Sequence, residues 1–281
     1  MSDAPVGIFD SGLGGLSIAR EIRTLLPAEP LLYLADSAHC PYGGRSLPEI
    51  QALSMAGVDL LVQRGAKAIV VACNTATGAA LEMLRATYSL PIVGLEPAVK
   101  PAVAASFNRR VGVMATAATL RTERFARLVR TFANDAKVIA QPCPGIVELV
   151  ESGVTDRRKI RTVLEPLVAP LREAGVDTVV LGCTHYPFVR ASIAALMGPG
   201  VRLIDSGPAV ARRVERVLWN AGALVGTGEG EVRLLTTGNP TSVARVVERL
   251  WGSLLPAEHV ELAYEPDQLR SAGASPGDSS R

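Results

Sequence analysis

Two cysteines stand where apolar segments give way to polar side chains. Cys73 ends the run AIVVAC, and Cys183 ends the run DTVVLGC. Amide, hydroxyl and imidazole groups follow at once, on Asn74, Thr75, Thr184 and His185. A thiolate is a good base and nucleophile, and the free N–H groups that begin a helix bind anions and lower the pKa of a thiol. The pattern predicts two acid–base thiols beside a site for a small carboxylate.

Each thiol taken alone has a simpler explanation, because a free cysteine is most often a small buried core residue. Two such cysteines, each followed by hydrogen-bonding side chains, favour a functional pair. Cys40 and Cys143 precede prolines in loop segments and have no matching partner in the chain. We therefore expect structural or incidental roles for both.

Asp10 ends the first apolar segment, VGIFD, and a glycine-rich turn follows it. Its carboxylate could serve as a base beside a thiol or hold a substrate ammonium. It could equally cap the next helix, and the local sequence leaves both open. Gly12 and Gly14, with Asp36 as a ribose-binding acid, allow a nucleotide-binding interpretation. That interpretation is weak because Ser17 replaces the third glycine and Asp10 would face a pyrophosphate.

His185 lies two residues after Cys183, where an imidazole could exchange protons with the thiol or stabilise a thiolate. Glu148, in GIVELVES, could orient this imidazole, although an exposed acid on a helix explains it as well. A metal ion held by Cys183 and His185 alone would have too few ligands. No metal site is predicted.

Further polar groups lie in the segments DSG, PYGGRS and ATAAT. These segments offer neutral hydrogen-bond donors suited to a small anionic substrate, although ordinary turn chemistry would use the same residue types. The candidates are Ser11, Tyr42, Gly43, Thr116 and Thr119.

Short β-branched runs alternate with longer amphipathic stretches along most of the chain. This alternation predicts parallel βαβ units, and ligands bind beyond the carboxyl ends of such strands. The two halves of the chain are similar in sequence. VGIFDSG matches VGVMATA, VVACNTATG matches VVLGCTHYP, and the prolines of LEPAV and DSGPAV occupy matching positions. Three matches in the same order indicate an internal duplication. We expect an α/β fold of two pseudo-twofold-related domains with mainly parallel sheets and the active site in the cleft between them.

Composition excludes several classes of protein. The 29 basic and 27 acidic residues nearly balance, and aromatic residues make up only 4%. Scattered charge and few aromatics argue against nucleic-acid binding. The sequence lacks a signal peptide and an apolar run of membrane-spanning length. With four widely spaced cysteines, a cytoplasmic protein with free thiols is expected. The polar residues 265–281 are predicted to form a disordered tail.

FDSGLGG, PYGGRS, ACNTAT, the ATAAT threonines and GCTHYP, in this order, resemble the bacterial glutamate racemases of the aspartate/glutamate racemase superfamily. The resemblance runs from about Val6 to about Val210. It implies a homodimer with a domain of residues 98–206 inserted into a domain of residues 1–97 and 207–264. It also implies a supply of D-glutamate for peptidoglycan.

The resemblance further implies a two-base mechanism. Cys183 would act on L-glutamate and Cys73 on D-glutamate, with Asp10 supporting Cys73, and His185 with Glu148 supporting Cys183. The substrate would be bound by these groups: Asp10, Ser11, Tyr42, Gly43, Asn74, Thr75, Thr116, Thr119, Thr184 and His185.

A cofactor-independent reaction fits the residues as well. Pyridoxal phosphate needs a Schiff-base lysine, and the four lysines lie outside the polar strand-end motifs: Lys67, Lys100, Lys137 and Lys159. Aspartate is the alternative substrate, because an anionic-ligand site could hold either side chain. A carboxylate-binding protein without catalysis is the alternative from another class, and a nucleotide-dependent enzyme ranks third.

Overall fold

The computed structural model describes residues 3–133 and 135–264. The predicted disordered tail, residues 265–281, lies outside the described residues. In the described part, the strands are β1 (Val6–Asp10), β2 (Leu31–Ala35), β3 (Ala68–Val71), β4 (Ile92–Gly94), β5 (Arg110–Ala115), β6 (Lys137–Pro142), β7 (Thr178–Leu181), β8 (Arg202–Ile204), β9 (Val232–Thr236) and β10 (Ala257–His259).

The helices that cover these strands are α1 (Leu16–Leu25), α2 (Leu47–Gln63), α3 (Asn74–Thr87), α4 (Val99–Ala105), α5 (Ala117–Leu120), α6 (Glu123–Phe132), α7 (Ile146–Glu151), α8 (Arg157–Glu173), α9 (Arg190–Met197), α10 (Gly207–Asn220) and α11 (Pro240–Trp251). Short 3₁₀ helices occupy Tyr42–Gly44 and Tyr186–Val189. No helix in the described part of the chain is long and apolar enough to cross a membrane.

The strands form two separate parallel sheets. The first has six strands in the order β10-β9-β2-β1-β3-β4, and the second has four in the order β6-β5-β7-β8. Strands β1 and β3 are buried along their whole length, and apolar cores lie on both faces of the first sheet. This double burial is why these strands are continuously apolar instead of alternating. The predicted α/β class with two parallel sheets is confirmed.

The duplication seen in the sequence is repeated in the topology. The order β2-β1-β3-β4 of the first sheet matches β6-β5-β7-β8 of the second. The matching segments VGIFD and VGVMA lie on β1 and β5, and those that precede Cys73 and Cys183 lie on β3 and β7. The two thiols therefore occupy equivalent strand ends, each beside the central strand of its own sheet.

The chain passes between the sheets twice, after β4 and after β8. At these crossings the Ser206 hydroxyl donates a hydrogen bond of 2.5 Å to the carbonyl oxygen of Glu96. The first sheet takes its strands from 6–94 and 232–259, and the second from 110–204. The domain limits 1–97, 98–206 and 207–264 stay a prediction.

Candidate active site

Cys73 occupies the N-cap of α3, at the end of β3. Its Sγ accepts a hydrogen bond of 3.4 Å from the Ala76 backbone N–H and lies 3.4 Å from Ser11 Oγ. Asn74 and Thr75 begin the helix, as their position after the strand predicts. The end of β3 and the start of α3 thus place a thiol, an amide and a hydroxyl together.

Cys183 lies in the turn after β7, with Thr184 and His185 next to it. The Cys183 Sγ is 3.6 Å from Nδ1 of His185. Both side chains are buried, at 8% and 2% exposure. The backbone of this turn is held against the start of α1 because Ser17 Oγ donates a 2.8 Å hydrogen bond to the Thr184 carbonyl.

Both cysteines line one cavity of about 420 Å³. Its walls come from the ends of strands in both sheets. Of the predicted site residues, those that line it are Ser11, Tyr42, Gly43, Cys73, Asn74, Thr75, Thr116, Glu148, Cys183, Thr184 and His185. Asp10 and Thr119 do not line it and lie behind its wall. The packing of the two halves therefore brings the paired thiols to a common site.

The carboxylate that contacts His185 is Glu151, which the sequence analysis missed. Glu151 Oε1 lies 2.6 Å from Nε2 of His185 and also accepts a 2.6 Å hydrogen bond from the Leu13 backbone N–H. The expectation that Glu148 orients His185 is corrected, because the Glu148 side chain lines the cavity instead. Glu151 follows Glu148 by one turn of α7, so the spacing in GIVELVES places both carboxylates on one helix face but does not show which of them contacts His185.

The surroundings of His185 favour the protonated form of its imidazole. Burial alone would lower the pKa of the imidazole, but hydrogen bonds to Cys183 and Glu151 hold that pKa well above its ordinary value. Nδ1 of this imidazole lies 3.6 Å from the Cys183 sulfur, close enough to exchange a proton with it. The His185 imidazole, held by Glu151, is therefore the group that can supply positive charge beside Cys183.

The surroundings of Cys73 differ from those of Cys183. Burial raises the pKa of the Cys73 thiol to about 12, and the negative charge of Asp10 acts in the same direction. The hydrogen bonds from Ser11 and Ala76 lower the pKa but do not offset burial. The expectation that the helix N-terminus lowers this pKa is corrected: without substrate, burial dominates and Cys73 is a thiol.

Asp10 is fully buried at the end of β1. Its Oδ2 accepts a 2.7 Å hydrogen bond from the Gly15 backbone N–H, just before α1. Its Oδ1 has no hydrogen-bond partner among the described residues. Burial raises the pKa of Asp10 to about 6, although the positive charge of His185 opposes this. The carboxyl group therefore closes the turn with one oxygen and keeps the other available for a proton.

The glycines of SGLGG have a steric role in this site. A Cβ on Gly12 would lie 2.3 Å from Glu151 Oε1, and one on Gly14 would lie 2.3 Å from His185 Nδ1. Both contacts are far inside van der Waals distance. The glycines admit the Glu151–His185 pair from the second sheet's side, which replaces the weak nucleotide-binding interpretation with a packing explanation.

Tyr42 lines the cavity, but its hydroxyl is engaged elsewhere. It donates a 2.6 Å hydrogen bond to Oδ2 of Asp36 at the end of β2. Asp36 is fully buried, and its Oδ1 also accepts from the Thr237 hydroxyl at 2.7 Å. Asp36 thus anchors the PYGG turn through a buried hydrogen bond to Tyr42. This role differs from that of the ribose-binding acid considered from the sequence.

Three threonines form a linked group at the edge of the cavity. Thr75 Oγ1 lies 3.1 Å from Thr116 Oγ1, and the Thr116 hydroxyl donates a 2.9 Å hydrogen bond to Oγ1 of Thr119. Thr119 is 3% exposed and reaches the cavity only through its partners. These hydroxyls join the start of α3 to the turn after β5, so they connect the two sheets.

Comparison with known proteins agrees with this architecture. The family model for Asp/Glu/hydantoin racemase matches residues 14–214. A glutamate racemase of Herpetosiphon aurantiacus is 51% identical over 247 residues, which cover 88% of this chain and 97% of that protein.

Solved structures of glutamate racemases share the fold. One from Bacillus anthracis superposes with a TM-score of 0.86 and 32% identity, covering 93% of this chain and 99% of the other. The Escherichia coli enzyme, solved with L-glutamate and the activator UDP-MurNAc-ala, gives a TM-score of 0.80 at 31% identity, covering 92% and 99%. The chain belongs to the Asp/Glu/hydantoin racemase family.

Proposed function

We propose that this protein is a glutamate racemase that interconverts L- and D-glutamate by proton transfer between two cysteines. The observation that carries the proposal is the position of Cys73 and Cys183. They end equivalent strands of two duplicated sheets and line the same cavity. The names of the relatives support glutamate as the substrate, at 51% identity for the Herpetosiphon protein.

In the direction from L- to D-glutamate, the Cys183 thiolate removes the α-proton from one face of the substrate. The electron pair left on the α-carbon then takes a proton from the Cys73 thiol on the opposite face. Cys183 ends as a thiol and Cys73 as a thiolate, so the enzyme must exchange protons before the next turnover. The cationic His185 and the high pKa of Cys73 fit this starting state.

The neighbouring groups move the remaining protons. His185 stabilises the Cys183 thiolate and can return a proton to it, while Glu151 holds the imidazole by its other nitrogen. For the reverse direction, Asp10 accepts the proton that Cys73 must lose. Its pKa of about 6 and its unpaired Oδ1 suit that task near neutral pH.

Neutral donors would bind the two carboxylates of the substrate. Among the described residues that line the cavity there is no lysine or arginine. Backbone N–H groups at the start of α3, together with hydroxyl and amide side chains, provide anion binding there. The lining also offers no amine for a Schiff base, which supports a reaction without pyridoxal phosphate. The groups proposed to hold glutamate are Ser11, Gly43, Asn74, Thr75, Thr116 and Thr184.

The proposed biological role is the supply of D-glutamate for peptidoglycan in the cytoplasm, by a homodimer. The resemblance to bacterial glutamate racemases supports each of these points. Light scattering of the purified protein would test the homodimer, and rescue of a D-glutamate-requiring bacterial strain would test the role.

The test of the reaction is incubation of the purified protein with L-glutamate while the circular-dichroism signal of the amino acid is followed. The expected result is decay of this signal to zero without added cofactor. Aspartate, offered at the same concentration, should racemise with a much lower kcat/KM. Racemisation of aspartate alone would change the substrate and keep the chemistry. Binding of glutamate with no decay of its circular-dichroism signal would contradict the proposal and favour a carboxylate-binding protein.

A further inference from the structure

Three potential metal ligands lie close together where Cys40 approaches the Glu151–His185 pair. The thiol of Cys40, a carboxylate oxygen of Glu151 and a ring nitrogen of His185 all lie within 4.8 Å of one another. They come from the loop after β2, the end of α7 and the turn after β7. In the described part of the chain, this is the one such group of three His, Cys, Asp or Glu side chains.

The cluster can be reached without passing through the active cavity. Cys40 and Glu151 line a second cavity of about 670 Å³, bordered by Ser37, Arg245 and Arg249. Cys40 is not among the residues that line the cavity with the paired thiols. Two of the three ligands, Cys40 and Glu151, therefore face a cavity other than the one with the paired thiols, whereas His185 lines the latter.

The ligand types select the class of cation. A thiolate, an imidazole and a carboxylate suit Zn²⁺, whereas Mg²⁺ and Ca²⁺ prefer oxygen ligands alone. Tetrahedral Zn²⁺ needs ligand atoms about 3.5 Å apart. The three atoms here lie within 4.8 Å of one another, and binding requires the 2.6 Å contact between Glu151 Oε1 and His185 Nε2 to lengthen. Water from the second cavity can fill the fourth position.

We propose that Cys40, Glu151 and His185 form an inhibitory site for a divalent cation of the zinc class. A bound ion occupies Nε2 of His185 and breaks its direct 2.6 Å contact with Glu151, so the imidazole that lies 3.6 Å from Cys183 Sγ is no longer held in position for proton exchange. The inhibition rests on the proposed racemase function, whereas the binding of metal does not.

Cobalt binding tests the site without reference to activity. Metal-free protein titrated with Co²⁺ should develop a thiolate-to-cobalt charge-transfer absorption that saturates at one equivalent and is abolished by Zn²⁺. The absorption should be absent in Cys40→Ala and retained in the control Cys143→Ala. In assays with glutamate, the Zn²⁺ concentration for half inhibition should rise at least tenfold in Cys40→Ala, with basal racemisation unchanged.

Two results would overturn the site. One is the absence of a charge-transfer absorption in the native protein. The other is absorption and inhibition that are the same in Cys40→Ala, which would place the ion on Cys73 and Cys183. If Cys40→Ala does not fold, alkylation of the native protein decides: Zn²⁺ should protect Cys40, and equal labelling with and without Zn²⁺ contradicts the site. Cobalt binding in a protein without racemase activity would reject the proposed function and leave the metal site standing.

Discussion

The two thiols of the cavity differ in the charge of their neighbours. Cys183 faces an imidazole whose pKa is held well above its ordinary value, whereas burial raises the pKa of Cys73 to about 12. The Cys183 side of the cavity therefore favours a base, and the Cys73 side favours an acid. A two-base racemase requires this difference at the start of each turnover and must reverse it by the end.

The Glu151→Gln variant tests the support of Cys183. The amide cannot hold a cationic His185, so kcat/KM should fall by about 10²-fold. It must fall equally for L- and D-glutamate, because the two enantiomers have the same free energy. Glu148→Gln is the matched control on the same helix, and its kcat/KM should change by less than about threefold in the same racemisation assay. A larger loss in Glu148→Gln than in Glu151→Gln would return the role to Glu148.

The Asp10→Asn variant should change the stability of the protein and its racemisation activity in opposite directions near neutral pH. Asp10 has a native pKa of about 6, above its ordinary 3.8, so the native state binds the proton more tightly than the unfolded state. This stabilisation is fully present below about pH 4 and is lost as pH rises through about pH 6. Full loss corresponds to about 3 kcal/mol of unfolding free energy.

Urea unfolding of both proteins at about pH 4 and about pH 7 measures this effect. The stability of Asp10→Asn relative to the native protein should be greater at the higher pH, by on the order of 1–3 kcal/mol. Racemisation should fall because the amide cannot accept the Cys73 proton. A relative stability that does not change with pH would show that the carboxyl group is not strained by burial.

At the scale of elements, the glycine-rich turn after β1 joins the two halves of the active site. It receives the Glu151–His185 pair at Gly12 and Gly14, and its Leu13 N–H donates to Glu151. The turn follows the strand that carries Asp10, so a change in its packing affects the supports of both thiols.

Gly14→Ala should therefore damage both folding and catalysis. The added methyl would lie 2.3 Å from His185 Nδ1, and relief of this clash should cost about 1–3 kcal/mol. We expect a lower midpoint of thermal unfolding together with a lower kcat, measured by circular dichroism and by the racemisation assay. Gly226→Ala, where nothing lies within 4 Å, is the control and should change neither value. Equal behaviour of the two variants would contradict the packing role.

The elements also show where sequence reasoning succeeds and fails. Cys73 and Cys183 were predictable because parallel strands end at one edge of a sheet and the polar groups after each strand mark that edge. Glu151 was not, because its role depends on the docking of α7 against a turn more than a hundred residues earlier in the chain. The raised pKa of Cys73 was missed for the same reason: the helix N-terminus is local, whereas burial comes from the whole fold.

At the scale of the whole molecule, duplication explains why the site has two thiols. Each half supplies one cysteine at the end of the strand next to its central strand, and the cleft places them on one cavity. The supports that we propose for the two thiols differ, with Asp10 on the first half and His185 with Glu151 on the second. The repeat in the sequence predicted the equivalence of the halves, but the unlike supports come from loops that the repeat does not share.

The central claim is that two thiols work on opposite faces of the substrate. The most direct measurement is the early time course of L-glutamate in D₂O, followed by NMR in the native protein, Cys73→Ser and Cys183→Ser. The account predicts deuterium in the D-glutamate formed, protium in the L-glutamate that remains, and loss of racemisation by at least about 10³-fold in each variant. Deuterium that enters the remaining L-glutamate as fast as the product, or a single-serine variant that still racemises at the native rate, would contradict it.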